Sequence, residues 1–418
     1  MKVNLQVALS DAHLDANQAS SQRQLCLSLS AIADSLDFSL PLNLCLVLDQ
    51  SGSMNGRPLS TVKEAAVALV ESLKPTDLIS VVAFNHKAQT LIANQSVSNP
   101  KQIIATIQRL EASGGTAIDE GLKLGIKESA LGKEDRVSQI FLLTDGENEH
   151  GDNERCLKLA QVASEYNITV NSLGFGSHWN QDVLESIADS ANGSLSYIEN
   201  PDQALNIFSQ LFSRMQTVGL TNASLLLEFS PEVRLAELKP TAQVEPEAIE
   251  LTPQPEGKGY ALRLGDLMTE QARVILANLY INQLPPGEQA IGFAQVRYDD
   301  PSQSGIGLLS EKIPITAIAQ ASYQAQPNDQ VQKAILTLAK YRQTQIAETK
   351  LKQGDRAGAA TMLQTAAKTA LQLGDQNGAT VLQTNATRLQ SGEELTEADR
   401  KKTRMVSKTT LQPPAPEK

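Results

Sequence analysis

Residues 43–55 read NLCLVLDQSGSMN, and the reading of this stretch decides the fold. The apolar run Leu44 to Leu48 stops at Asp49, and hydroxyls follow at Ser51 and Ser53 with Gly52 between them. A continuous apolar run bounded by turn residues reads as a strand buried on both faces. Asp49 then stands at the carboxyl end of that strand, where open α/β sheets present their ligand crevice. One carboxylate and two hydroxyls on alternate residues of a turn can converge on a point, and oxygen ligation suits a hard divalent cation. The same residues equally fit a Ser/Gly turn whose aspartate caps the next helix.

Working outward, Arg57-Pro58 leads into a helical pattern at Val62, Ala65, Ala66, Leu69, Val70 and Leu73, with Pro58 in the first turn. LISVVAF (78–84) reads as a second buried strand, and 87–97 as an edge strand. Ile103, Ile104, Ile107 and Leu110 mark a helix that ends at SGGT, and 118–131 gives the next. The apolar strand 137–143 runs into TDGENEHGD. A helix (153–166), a strand (168–175), a helix (181–191), a short strand (195–198) and a helix (204–216) complete the unit. Strands alternating with helices imply a doubly wound, mostly parallel sheet, a Rossmann-like α/β domain over 38–218.

On either side the pattern is antiparallel. Residues 1–37 read as a β-hairpin, with Val3, Leu5 and Val7 alternating in one strand and Leu25, Leu27 and Leu29 in the other. Residues 219–322 hold short strands such as ASLLLEF, GYALRLGDL and AIGFAQVRYDD separated by Pro and Gly turns, the pattern of an antiparallel β-sandwich. The hairpin is expected to belong to that sandwich, which makes the α/β domain an insertion. Residues 327–391 read as a helical bundle punctuated at Gly354-Asp355 and Gly374-Asp375. Residues 392–418 read as a disordered basic tail carrying Arg400, Lys401, Lys402, Arg404 and Lys408 among Thr403, Ser407, Thr409 and Thr410.

The composition is that of a globular protein, 41% hydrophobic and 20% charged over 418 residues. A formal net charge of −11 and only 4% aromatic residues argue against nucleic-acid binding. The amino terminus lacks the apolar core of a signal peptide, and no run is long enough to span a membrane. Cys26, Cys45 and Cys156 are odd in number and widely spaced, which fits buried free thiols and a cytoplasmic location. No GxGxxG or GxxxxGK[ST] motif supports nucleotide binding.

Two further stretches bear on the opening turn. SGGT (113–116) places adjacent glycines and the hydroxyl of Thr116 in a loop before a helix, and TDGE (144–147) places Asp145 at a strand end. Asp49, Ser51, Ser53, Thr116 and Asp145 are therefore candidate metal ligands. His13, His86, His150 and His178 lack metal-ligand or triad spacing and read as surface or satisfied histidines. The acidic run Glu147, Glu149, Asp152 and Glu154 reads as a solvated loop at the rim, and Trp179 either lines the same face or caps a helix.

With DQSGS, GGT and TDG in this order, residues from Leu42 to about Val218 resemble the von Willebrand factor A-type (VWA) domain and its metal-ion-dependent adhesion site (MIDAS). The resemblance implies Ser51, Ser53 and Thr116 as direct ligands in one state, with Asp49 and Asp145 direct or through water. It implies Mg²⁺, with Mn²⁺ or Ca²⁺ as alternatives, and a partner protein whose Asp or Glu carboxylate completes the shell. The order hairpin, A-type domain, sandwich and helices is similar to that of bacterial stand-alone A-domain proteins, which implies a non-enzymatic adaptor or assembly factor. The alternatives are a metal-assisted, phosphatase-like hydrolase and a scaffold stabilised by the metal. The basic, hydroxyl-bearing tail adds the expectation of phosphorylation and a phosphothreonine-reading partner.

Overall fold

The computed structural model of the protein describes residues 2–33 and 39–408. Three strands open the chain, β1 (Lys2–Leu9), β2 (His13–Asp15) and β3 (Ser20–Ile32). β1 and β3 pair antiparallel, with Leu5 opposite Leu29 and Val7 opposite Leu27. Residues 34–37, read as the end of this hairpin, lie outside the described residues.

The chain then alternates through β4 (Leu42–Asp49), α1 (Arg57–Ser72), β5 (Leu78–Phe84), β6 (Ala88–Ser96), α2 (Pro100–Gln108) and α3 (Ile118–Leu131). β7 (Val137–Thr144), α4 (Asn153–Glu165), β8 (Thr169–Phe175), α5 (Gln181–Ser190), β9 (Leu195–Ile198) and α6 (Ala204–Gln216) follow. The sheet order is β6-β5-β4-β7-β8-β9, parallel throughout except for the edge pair β5–β6. Every residue of β4, β7 and β8 is buried, because helices cover both faces. Leu44, Leu46 and Leu48 share one apolar layer with Val62 and Leu69 of α1 and Phe208 and Phe212 of α6. The alternate residues Cys45 and Val47 share the other with Leu122 and Ile126 of α3 and Ala160 of α4. The period of two thus places each side chain, and each fully buried leucine contributes about 1.5–3 kcal/mol.

The sandwich follows as β10 (Val218–Phe229), β11 (Val233–Leu235), β12 (Thr241–Glu245), β13 (Ile249–Leu251), β14 (Gln254–Glu256), β15 (Gly259–Met268), β16 (Arg273–Asn282), β17 (Gly287–Asp300), β18 (Gly305–Leu309) and β19 (Ile313–Gln320). One sheet runs β1-β3-β16-β12-β13 with β11 on β16, and the other runs β14-β15-β10-β17-β19-β2 with β18 on β17. Pairing is antiparallel except between β2 and β19, which run parallel. Leu25, Leu27 and Leu29 of β3 pack in one core with Leu225 and Leu227 of β10 and Val296 of β17. The α/β unit therefore enters the chain between β3 and β10, one strand in each sheet.

Four helices close the chain, α7 (Asp329–Lys352), α8 (Arg356–Gln372), α9 (Gln376–Gln390) and α10 (Glu397–Lys408). Val331, Ala334, Leu338 and Tyr341 of α7 pack on Ala242, Val244 and Leu276, so α7 covers the outer face of the first sheet. The two Gly-Asp pairs work alike. Gly354 and Gly374 adopt φ +81° and +77°, a conformation that ends a helix at no steric cost, and Asp355 and Asp375 accept from Gly358 N and Gly378 N to cap the next one. Among the described residues no helix is long and apolar enough to cross a membrane.

The reading of 392–418 as a disordered tail is corrected over 397–408, where α10 is a docked helix with Lys401, Thr403, Ser407 and Lys408 buried. Lys402, Arg404 and Lys408 pair with acids distant in sequence, including Glu185 and Asp189 for Lys408, which a local composition argument does not register. Burial of Thr403 and Ser407 removes them as accessible phosphorylation sites, and Thr409 and Thr410 lie outside the described residues.

Candidate metal centre

Parallel pairing of β4 with β7 sets Leu48 opposite Leu143, so the loops that leave these strands emerge side by side. Asp49 is fully buried at the end of β4. Its Oδ1 accepts from Ser51 N at 2.7 Å and its Oδ2 from Thr144 Oγ1 at 2.5 Å. It does not cap the following helix: that position is taken by Gly56, whose φ of +83° suits glycine. Ser51 and Ser53 hold their hydroxyl oxygens 3.0 Å apart, and Ser53 Oγ donates to Asp145 Oδ1 at 2.7 Å.

The third loop is fastened to this turn by main-chain hydrogen bonds. Gly52 N donates to Gly114 O at 2.8 Å, and Ser113 N donates to Gln50 O at 2.7 Å. Thr116 then faces the other two loops across Gly146. A β-carbon added to that glycine would lie 3.2 Å from Thr116 Oγ1 and 3.9 Å from Ser53 Oγ. All five residues singled out in the sequence thus meet at one end of the sheet.

The electrostatics are those of a site short of positive charge. Burial pushes the Asp49 carboxyl up to about 6, against hydrogen bonds from Thr144 and Ser51, and the neighbouring Asp145 adds to the rise. Burial also raises Asp145, opposed by the hydrogen bond from Ser53. Among the described residues neither carboxylate forms an ion pair with Lys, Arg or His. Two carboxylates and three hydroxyls form an all-oxygen donor set, which fits a hard cation such as Mg²⁺. No cluster of three or more His, Cys, Asp or Glu occurs among the described residues, so softer ligation has no comparable site there.

Several supporting residues were not legible in the motif. Thr144 holds Asp49, and its role follows only from the β4–β7 register. Asn148 Oδ1 accepts from Ile118 N at 2.7 Å and so caps α3 in place of Ala117, just after Thr116. Asp152 caps α4 through Glu154 N and Arg155 N, whereas Glu147 and Glu149 are exposed. The histidines are less scattered than their spacing implies. His86 packs against Gly114 and His150 against Gly115, while His178 acts electrostatically on Asp145. Trp179 neither caps a helix nor lies open on the rim: it is 2% exposed, and Asn180 caps α5.

The Sll0103-like C-terminal alpha-helical domain family matches residues 329–413, and the von Willebrand factor type A domain family matches residues 43–210. The protein sll0103 of Synechocystis sp. is 65% identical over 415 residues, which are 99% of each chain. The chain belongs to the Sll0103-like family of VWA-domain proteins. YfbK of Escherichia coli is 27% identical over 194 residues, 45% of this chain and 34% of that one. A von Willebrand factor type A protein from Catenulispora acidiphila has the same fold across 98% of this Sll0103-like chain and 97% of its own. The TM-score is 0.82 at 18% identity. The VWA domain is thus the inserted α/β unit, and the Sll0103-like helical domain comprises α7 to α10.

Proposed function

We propose that the VWA domain binds Mg²⁺ at Asp49, Ser51, Ser53, Thr116 and Asp145, and that the bound ion recruits a carboxylate of a partner protein. The single observation that carries this reading is a fully buried Asp49 in a convergent set of oxygen donors, with no cationic side chain paired to it among the described residues. A hydroxyl-rich set leaves the metal under-neutralised, so an Asp or Glu side chain of a partner is a favourable further ligand. The VWA fold is one that typically mediates protein–protein interaction, which supports an adaptor role. Asp49 is fully buried with both carboxylate oxygens hydrogen-bonded, which disfavours it as a nucleophile and favours recognition over hydrolysis. A cytoplasmic location belongs to the same reading.

Affinity capture from a native extract, with and without chelator, tests it. Wild type is expected to retain a partner only with metal, and Asp49→Ala and Thr116→Ala are expected to lose it while remaining folded. Capture that is indifferent to chelator and to both substitutions would sink the reading. Metal-dependent melting without metal-dependent capture would instead support the scaffold.

A further inference from the structure

Helix α10 contacts every other unit of the protein, through polar groups and through Met405 and Val406, which pack on the α/β and helical cores. On the VWA domain, Arg404 pairs with Asp182 at 2.7 Å, Lys402 with Glu199 at 2.7 Å, and Lys408 with Glu185 at 3.0 Å. On the preceding helices, Asn385 Nδ2 donates to Thr403 Oγ1 at 2.7 Å, Lys340 Nζ donates to Val406 O at 2.8 Å, and Arg404 pairs with Glu348 at 3.0 Å. On the sandwich, Ala248 N donates to Lys408 O at 2.8 Å.

Lys401 differs from its basic neighbours. It is 4% exposed, yet among the described residues its ammonium has no carboxylate within ion-pair distance. It donates instead to the carbonyl oxygens of Ser177 and, at 2.9 Å, Trp179, and lies 4.1 Å from the centre of the Trp179 ring. A buried charge whose direct contacts are carbonyls and an aromatic face, with Glu397 and Glu147 acting only from beyond ion-pair distance, depends on that loop staying in place.

The loop it holds leads back to the candidate metal centre. Trp179 lies on Gly174, where an added β-carbon would come within 2.2 Å of the ring, and its Nε1 donates to Gly176 O at 2.8 Å. Gly174 pairs in the sheet with Thr144, which holds Asp49 and precedes Asp145. A continuous set of contacts therefore runs from α10 through Trp179 and β8 to the TDGE turn.

We propose that α10 is a positioning element for the metal face, with Lys401 fastening the β8–α5 loop so that docking of the helical domain and the geometry of the TDGE turn are coupled. The use of that coupling rests on the metal-dependent reading above, but its test does not. Trp179 is the chain's one tryptophan, so its emission reports on the grip directly. In the full chain, Lys401→Met is expected to red-shift that emission and to speed amide exchange about tenfold over both 174–180 and 145–150. Lys402→Met, which removes a half-exposed pair with Glu199, serves as the control and is expected to match wild type. Exchange over 145–150 that stays at the wild-type rate in Lys401→Met overturns the proposal, whether or not 174–180 loosens. Failure of wild type to bind Mn²⁺ would remove the metal reading and leave the exchange result to decide the coupling.

Discussion

Ser53 Oγ and Asp145 Oδ1 lie 2.7 Å apart although 92 residues separate them in the chain. The contact is a consequence of register: β4 and β7 are parallel neighbours, so residues just past their ends share one crevice. The same register delivers the Thr144 hydroxyl to Asp49 Oδ2 from the opposite side.

Replacement of Thr144 by valine keeps the shape and removes that donor. A buried carboxylate oxygen is then left without its partner, and a hydrogen bond to a charged group is worth about 1.5–3 kcal/mol. Thr144→Val is expected to lower the stability of the metal-free protein by that amount in urea unfolding. Saturating Mg²⁺ is expected to restore part of it, because a cation takes over the orphaned oxygen.

The parts of the fold that were legible are those with local signatures. Continuous apolar runs gave β4, β5, β7 and β8, and helical spacing gave the helices between them. Two loops of the candidate site were legible because they end β4 and β7, while the third, with Thr116, joins α2 to α3 and was legible from its adjacent glycines and its place in the motif order. Helix α10 was not legible: its sequence is dominated by charge, and Lys408 meets Glu185 some 223 residues away. The histidine rim was hidden for the same reason, since His86 and His150 approach through Gly114 and Gly115 and share no spacing. The parallel pairing of β2 with β19 involves three residues, too few to carry a period.

Gly121 and Gly125 let α3 sit close on the sheet and thereby hold Thr116, two residues before the helix. A β-carbon at Gly121 would meet the Phe84 ring at 2.7 Å, and one at Gly125 would meet Val47 Cγ2 at 2.6 Å. Alanine gains about 1 kcal/mol of helix propensity over glycine, but overpacking a filled core costs about 1–3 kcal/mol. Gly121→Ala is therefore expected to be net destabilising by thermal melting and to weaken Mn²⁺ binding through displacement of Thr116. A melting temperature above wild type would show that the helix yields without strain.

Asp11 ties the start of the chain to the approach to α7. Its carboxylate accepts from His13 N at 2.8 Å, Tyr323 OH at 2.8 Å and Gln326 N at 3.0 Å. Burial alone would raise this carboxyl, but the three hydrogen bonds and Arg23 outweigh it and hold it below its ordinary value. The folded state thus binds fewer protons here than the unfolded one near pH 4, so the contribution is present above that pH and is lost on acidification. Asp11→Asn is expected to cost about 1–2 kcal/mol at pH 7 and progressively less below pH 4. An equal deficit at pH 7 and pH 3 in urea unfolding would contradict this account.

Lys408 is 3% exposed in its side chain and faces Glu185, which is 4% exposed, and Asp189. Burial pushes its ammonium down, but Asp189, Glu185 and Glu247 together outweigh this and raise it above its ordinary value. Removing the cation alone leaves Asp189 without its ion-pair partner and Glu185 with Arg404 alone, a loss of about 3–5 kcal/mol. Lys408→Met is expected to show that loss in urea unfolding at pH 7. Adding Glu185→Gln and Asp189→Asn removes the stranded charges and is expected to recover most of it, because a neutral, packed site has no desolvated charge to offset. A triple variant no more stable than Lys408→Met would locate the loss in packing at the α5–α10 contact instead of in charge.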